Sequence, residues 1–371
     1  MDERSAYIAL NMMEKVGPIT VSRLFSVFGD ILSIFKASTK DLLQVDGIGP
    51  KLADHIARQS SSVQWEQEIA RAEKLGVSIL TPLDDSYPQA LRDIYDPPLA
   101  LYVRGTLLSG DKHAVALVGT RRPSHYGQAS AQGLSSALAA SGVTIVSGLA
   151  LGIDTAAHRA ALDAGGRTLA VLGSALDEFY PRENLSLATE ISNSGAVISE
   201  FPFGKKPDKT TFPIRNRIVS GLSEGVVVIE AGVKSGAMIT ANQAAEQGKQ
   251  IFAVPGRIDH HFAAGPHQLL RDGAVLVEKA ADIINELPQM RINEMNVLKG
   301  SDSPDFTGNL SKNEQSILSA LGLDILNIDE LTRETGLTSG DVSSLLIGLE
   351  IKNLVAIRPG RQVERILPTQ G

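Results

Sequence analysis

The chain has 371 residues, 43% of them hydrophobic and 21% charged, with 34 glycines, 17 prolines and no cysteine. This is the composition of a globular protein of two or three domains, which excludes bulk disorder and fibrous repeats. The missing cysteines exclude a disulfide scaffold, a cysteine-ligated metal site and a thiol nucleophile. With 35 basic and 42 acidic residues the net charge is −7, which on its face argues against nucleic acid as a partner.

The N-terminus, Met1-Asp2-Glu3-Arg4, carries acids and does not read as a secretory signal. The longest aliphatic run, around Val226 to Ile229, falls far short of the roughly 18 residues of a membrane span. A soluble cytoplasmic protein without a membrane partner is therefore expected. Residues 1–75 read as short helices, with apolar residues at helical spacing in Ala6 to Leu10 and in Val21, Leu24, Phe25 and Phe28. Within them Gly47-Ile48-Gly49-Pro50-Lys51 fits a helix-hairpin-helix (SAM-like) turn. Its amides either receive a phosphate oxygen or simply connect two helices; nine bases against ten acids leave this segment no cationic face to spare.

Over residues 76–287 the texture changes. Val115 to Val118, Val143 to Val146, Thr168 to Leu172, Ala196 to Ile198, Val226 to Ile229, Ile251 to Val254 and Ala274 to Val277 are apolar throughout rather than alternating. That pattern marks strands buried on both faces of a parallel sheet. Helical segments such as Gln128 to Ala140 and Thr155 to Ala164 lie between them, so the fold class is α/β, a doubly wound Rossmann-like sheet. Residues 288–310 read as a polar linker. Over 311–371, helices at Lys312 to Leu321, Asp329 to Thr335 and Gly340 to Lys352 precede a hairpin at Leu354 to Leu367, a winged-helix pattern.

Several motifs follow strands of the central segment, where ligands of open α/β sheets bind. Gly119-Thr120-Arg121 places a glycine and a cation at a strand end and just before a helix. Ser147 to Asp154 makes a glycine turn in which Asp154 and Thr155 cap a helix carrying His158, a residue read equally well as structural or catalytic. Lys205 to Arg217 is the most informative stretch: five bases and one acid in an otherwise acidic domain, interleaved with Phe212. It reads as a loop whose Arg215-Asn216-Arg217 lead into a helix from Ile218 onward. Such cations beside a stacking ring suit sequence-tolerant binding of a single strand. Lys234, among glycines before another helix, marks a second candidate phosphate site. Asp259-His260-His261 with His267 lacks ligand spacing, so neither a metal nor a cofactor is expected. No Gly-x-Gly-x-x-Gly or P-loop occurs.

The turn Gly119-Thr120-Arg121, Ser147 to Asp154, Ala170 to Asp177 with Tyr180 to Asn184, Phe212 to Arg217, Ser235 to Ala241 and Phe252 to Gly256 stand in the order and spacing of the DNA-processing protein A (DprA/Smf) family. The resemblance covers residues 80–280, and the flanking helical and winged-helix pieces agree with the longer members. It implies a non-enzymatic, extended Rossmann-like dimer that binds single-stranded DNA, protects incoming strands in natural transformation and helps load the RecA recombinase. Carried over, it implies a DNA site of Gly119, Thr120, Arg121, Arg182, Lys209, Phe212, Arg215, Asn216 and Arg217, with Lys234 at its margin. Leu151 stands where members commonly carry arginine. Pro266 is unusual for the segment that the family uses near its dimer contact.

Two other readings remain open from sequence. One is a nucleotide-binding enzyme of the phosphoribohydrolase type, although the turn Gly232 to Thr240 lacks the acid such chemistry needs. The other is a duplex reader, although the candidate recognition helix Gly340 to Glu350 has no Lys or Arg.

Overall fold

The computed structural model describes residues 1–287, 312–321, 326–351, 355–358 and 362–365. The chain divides into two compact units, Met1–Met295 and Asn296–Gly371. In the first, nine strands form one sheet: β1 (Ser78–Leu80), β2 (Leu101–Gly105), β3 (Ala114–Val118), β4 (Thr144–Ser147), β5 (Thr168–Val171), β6 (Ala196–Ser199), β7 (Gly225–Val228), β8 (Gln250–Ala253) and β9 (Val275–Leu276). Their order is β1-β2-β6-β5-β4-β3-β7-β8-β9. The seven from β6 to β9 run parallel, as their unbroken apolar sequences require, and β2 joins β6 antiparallel. The order reverses at β3, with β4 on one side and β7 on the other. A crevice at the carboxyl ends of β3 and β7 is the usual ligand position in such sheets.

Period-two alternation sends the side chains of β3 to both faces. Ala114, Ala116 and Val118 pack with Ile218 and Val219 of the helix Thr211–Gly221 and with Ala237 to Ala244 of the helix Gly236–Glu246. Val115 and Leu117 pack with Ala131, Leu134 and Leu138 of the helix His125–Ala140 and with Ala157 and Ala161 of the helix Ile153–Asp163.

The N-terminal helices are capped where the sequence offers caps. Asp2 and Asp30 accept from amides three residues on, and Ser38 with Asp41 completes a capping box. These helices have a core of their own, but Ile8, Ala72 and Val77 bury themselves with Tyr102, Leu172 and Val197 of the sheet. The helical segment is thus built onto the sheet within one unit. Gly47 holds φ at +78° and the Arg23 guanidinium fills the space beside it, so the hairpin turn forms as its glycines require. The second unit has helices Lys312–Leu321, Ile328–Thr335 and Ser339–Ile351, with Val355–Arg358 paired antiparallel to Gln362–Arg365 and a short strand Leu326–Asn327 added. The linker expected at 288–310 and the hairpin turn at Pro359 to Arg361 lie outside the described residues.

One expectation needs correcting. Helix starts at Thr211, not Ile218, so Phe212 to Arg217 form its first two turns instead of a loop. Asp208 Oδ1 accepts from the amides of Thr210 and Thr211 and turns the chain into the helix. Pro213, which looks like a breaker, sits in the first turn, where its missing N–H has no helical partner to lose.

Arg217 consequently points into the protein. It is 5% exposed, pairs with Asp96 at 3.0 Å, and its Nη2 donates to the buried Glu200. This ties the helix to the end of β6. Removing one partner of a buried pair strands the other charge, so Glu200→Ala should destabilise the protein by about 3 kcal/mol. A urea melt would read this as a lower midpoint at unchanged slope; an unmoved midpoint would refute it.

Candidate nucleic-acid interface

A pocket opens at the carboxyl ends of β3, β4 and β5, lined by Arg121, Gly148, Ala150, Leu151, Gly173, Tyr180, Pro181, Phe212 and Arg215. Its floor is a buried charge. Arg215 is 5% exposed, and its Nη1 donates to the carbonyls of Gly148 and Val171, the ends of β4 and β5. Burial pushes its guanidinium down to about 10, with the Asp154 carboxylate opposing and the Arg121 charge adding to the fall. It therefore stays charged at neutral pH. Asp154 lies in the first turn of its helix and accepts from the amides of Gly148 (3.1 Å) and Ala150 (3.2 Å). Burial raises its pKa, while Arg215 and these amides hold it down. The carboxylate thus clamps the turn after β4; the expectation that it caps the helix end gives way to this.

Phe212 sits above this floor. A Cβ on Gly173 would meet its ring at 2.6 Å, so only glycine lets the ring lie against the end of β5. Tyr180 stands 6.0 Å from it, tilted by 52°, and the exposed Arg121 guanidinium lies over it at 5.3 Å. A cation on a ring is a cation–π contact that leaves its N–H groups free to meet a phosphate. Arg182 is exposed two residues beyond Tyr180, and Lys205, Lys206 and Lys209 are exposed before the helix of Phe212.

Not every residue expected at the site is available to a ligand. Gly119 makes room for Ile153, 2.6 Å from where a Cβ would be. The Thr120 amide donates to the Glu230 carbonyl at 2.6 Å, and its own carbonyl accepts from Ile153. This turn aims Arg121 and has no spare amide at Thr120 for a phosphate. Arg215 is pocket floor, Arg217 is elsewhere in a buried ion pair, and Asn216 donates its side-chain amide to the Gly236 carbonyl. Lys234 is exposed beyond β7 and is not among the pocket-lining residues. Sequence reasoning passed over Tyr180 and Leu151 as site residues, although Tyr180 is an aromatic residue in the loop after a strand. It also passed over Glu230.

Glu230 follows β7 at the topological reversal and is 4% exposed. Its carboxylate accepts from the Ser124 amide at 2.9 Å and from the Ser124 hydroxyl. It also abuts Gly127, where a Cβ would meet it at 2.4 Å. It therefore occupies the N-terminus of the helix His125–Ala140, where a nucleotide phosphate sits in dinucleotide-binding sheets. His158 is fully buried and donates Nδ1–H to Thr168, whose hydroxyl is spent on Ile145. Burial and the Arg215 charge push its pKa down to about 3. It is a neutral structural residue. Among the described residues no cluster of His, Asp and Glu could hold a metal, and no helix is long and apolar enough to cross a membrane.

Comparison with known proteins agrees with this architecture. The family model DNA recombination-mediator protein A matches residues 78–288 and the DprA winged helix domain matches 302–361. Protein Smf of Synechocystis is 34% identical over 98% of this chain and 99% of its own. DNA processing protein DprA of Bacillus subtilis is 43% identical over 60% of this chain and 76% of its own. The X-ray structure of DNA processing protein A from Streptococcus pneumoniae superposes with a TM-score of 0.66 at 34% identity, covering 77% of this chain and 98% of that one. The Helicobacter pylori protein, solved for its single-stranded DNA binding mode, gives 0.51 at 34% identity over 57% and 96%.

The buried imidazole sets a pH dependence. Below an ordinary pKa of 6.5 the unfolded chain takes up a proton that the folded site refuses until about 3. Stability from this group therefore falls as pH drops through that window, by about 1.4 kcal/mol per pH unit. His158→Asn should flatten the decline in urea midpoint between pH 6.5 and about 5. Equal slopes in the two proteins would mean that His158 titrates normally.

Proposed function

The chain belongs to the DNA recombination-mediator protein A (DprA/Smf) family of DNA-processing proteins, and we propose that within it this protein is a sequence-independent single-strand binder without catalytic activity. It acts as a homodimer, protects incoming strands in the cytoplasm and delivers them to RecA. The observation that carries this reading is Arg121 held exposed over the Phe212 ring, beside Tyr180 and next to a flank of exposed lysines. A ring for a base and a cation for its phosphate is the chemistry of sequence-tolerant single-strand binding. Arg121, Arg182 and Lys209 take the backbone and Phe212 the base. Gly119, Thr120, Arg215 and Asn216 shape the pocket, and Lys234 lies off it.

The phosphoribohydrolase alternative loses its support at two places. The helix N-terminus that would seat a nucleotide phosphate already holds the Glu230 carboxylate. His158 is buried and neutral, so it is not a general base in contact with substrate.

Fluorescence anisotropy with a labelled oligonucleotide, single- and double-stranded, across a salt series tests the assignment. Arg121→Ala should weaken single-strand binding and reduce the log–log salt slope by roughly 0.7, the value of one phosphate contact. Phe212→Ala should weaken binding with the slope nearly unchanged, since it removes stacking and no charge. Unaltered affinity and slope in Arg121→Ala, or tighter binding to duplex, would overturn the reading.

A further inference from the structure

The helix Trp65–Lys74 turns three side chains towards the segments that flank the pocket. Ala72 packs into the core shared with the sheet. Glu68, one turn earlier and 7% exposed, places Oε1 where it accepts from the Phe203 amide at 2.8 Å and the Tyr102 hydroxyl at 2.9 Å. Arg71 pairs with Asp177 at 2.5 Å and lies over the Phe203 ring at 5.4 Å. Asp177 in turn accepts from the Gly204 amide at 3.0 Å, and the Ala175 amide donates to the Lys205 carbonyl. Phe203 completes the cluster edge-on to Tyr102, with ring centroids 5.2 Å apart.

These contacts share one consequence. The amides of Phe203 and Gly204 are each held by a carboxylate, one from the N-terminal helix and one from the loop after β5. That loop continues to Tyr180 and Arg182, and the other segment continues to Lys205, Lys206 and Lys209. Lysines this close repel one another, and within the segment only Lys205 finds a partner carboxylate, Asp208. An untethered segment of this kind would be free to splay away from the pocket. A buried carboxylate is costly to desolvate unless it is well bonded, and burial does raise the pKa of Glu68. Its bonds from Tyr102 and Phe203 lie within this cluster.

We propose that the N-terminal helix is a working part of the single-strand site. Glu68 and Arg71 are positioning residues that hold the Phe203–Lys209 segment beside the Arg121–Phe212 pocket, so that the strand runs from the pocket along Lys209, Lys206 and Lys205. The inference rests on the single-strand reading above and adds to it a path for the DNA and a role for a segment outside the sheet domain.

The discriminating experiment measures binding of labelled oligo-dT by the full chain at several salt concentrations. The variants are Glu68→Leu, Arg71→Met, Lys205→Ala with Lys206→Ala, and each of the first two combined with the lysine pair; Arg121→Ala serves as reference. Glu68→Leu removes the oxygen that accepts from Phe203 and Tyr102, so positioning predicts that it weakens binding by roughly 3- to 10-fold. Charge alone predicts the opposite, because that change makes the protein less negative. Arg71→Met should weaken binding to a similar extent, and neither change should cost more than about 1.5-fold once the two lysines are gone, the signature of residues acting through a shared partner. Urea midpoints report whether each variant folds, and either one alone keeps the test valid should the other fold poorly. Tighter or unchanged binding in folded Glu68→Leu overturns the proposal, as does an Arg71→Met loss of equal size with and without the lysines. If Arg121→Ala still weakens binding in that case, the single-strand reading stands. If the wild type fails to bind or Arg121→Ala is silent, both fall together.

Discussion

A guanidinium sealed under the pocket governs most of what surrounds it. Arg215 carries its charge inside the protein, and a buried charge persists only where acceptors and a counter-charge surround it. The carbonyls of Gly148 and Val171 supply acceptors, which pins the ends of β4 and β5 together. Asp154 supplies the counter-charge and grips the amides of Gly148 and Ala150 from below. Gly148 has to be glycine, since a Cβ there would lie 2.5 Å from the guanidinium. The same charge helps to keep His158 neutral, and it repels Arg121. Arg121 therefore has reason to stay at the surface, where the Phe212 ring offers it the nearest favourable face.

The opposite side of the reversal point is governed by a carboxylate. Doubly wound sheets offer a positive helix end beside a glycine turn, a ready seat for a phosphate. Here Glu230 fills that seat from within, and its backbone carbonyl also occupies the Thr120 amide. The two carbons of its side-chain stem reach the helix end only because Gly127 has no side chain. The anion-binding capacity of the fold is thereby spent on the protein itself. What remains for a ligand is the exposed set beside β3 to β5, where cations stand on flexible side chains around a ring. On the single-strand reading proposed above, that arrangement would tolerate many bases without enclosing a mononucleotide.

The parallel sheet, the winged-helix pattern and the motif order were legible in the sequence because each rests on local information: unbroken apolar runs, helical spacing and glycines at strand ends. The site was legible in outline. Arg121 and Phe212 do line one pocket, while Arg182 and Lys209 are exposed on the segments after β5 and before the helix of Phe212. Arg215 does line the pocket, but as its buried floor, and Arg217 was misjudged because a run of bases was read as one surface. In a helix, residues two apart differ by about 200° in direction, so neighbours in such a run cannot share a face. Pro213 hid the helix that would have made this visible. The groups that bury Arg217 lie at Asp96 and Glu200, remote in sequence for the first and carried on a strand end for the second; no local pattern announces such a pairing. Glu230 was invisible for the same reason, since its partner Ser124 is brought to it only by the β3–β7 pairing.

The electrostatics of the site also change when burial is taken into account. The Lys205 to Arg217 stretch holds five bases and one acid, but with Arg215 and Arg217 inside, only three lysines and Asp208 face solvent there. Asp208 accepts from the Thr210 hydroxyl and amide, the Lys205 ammonium and the Thr211 amide, and these bonds hold its carboxyl well below the usual range, so it is an anion at neutral pH. The net cationic surface is therefore modest, in keeping with a chain that is acidic overall. Counterion release scales with the number of phosphates neutralised, so a site with few exposed cations cannot rely on it alone. On the single-strand reading proposed above, the balance comes from the ring, which offers its face only to a base free of the duplex stack. Weak general attraction combined with a stacking platform would then separate a single strand from a duplex, and both halves of that combination would follow from which arginines the fold keeps inside.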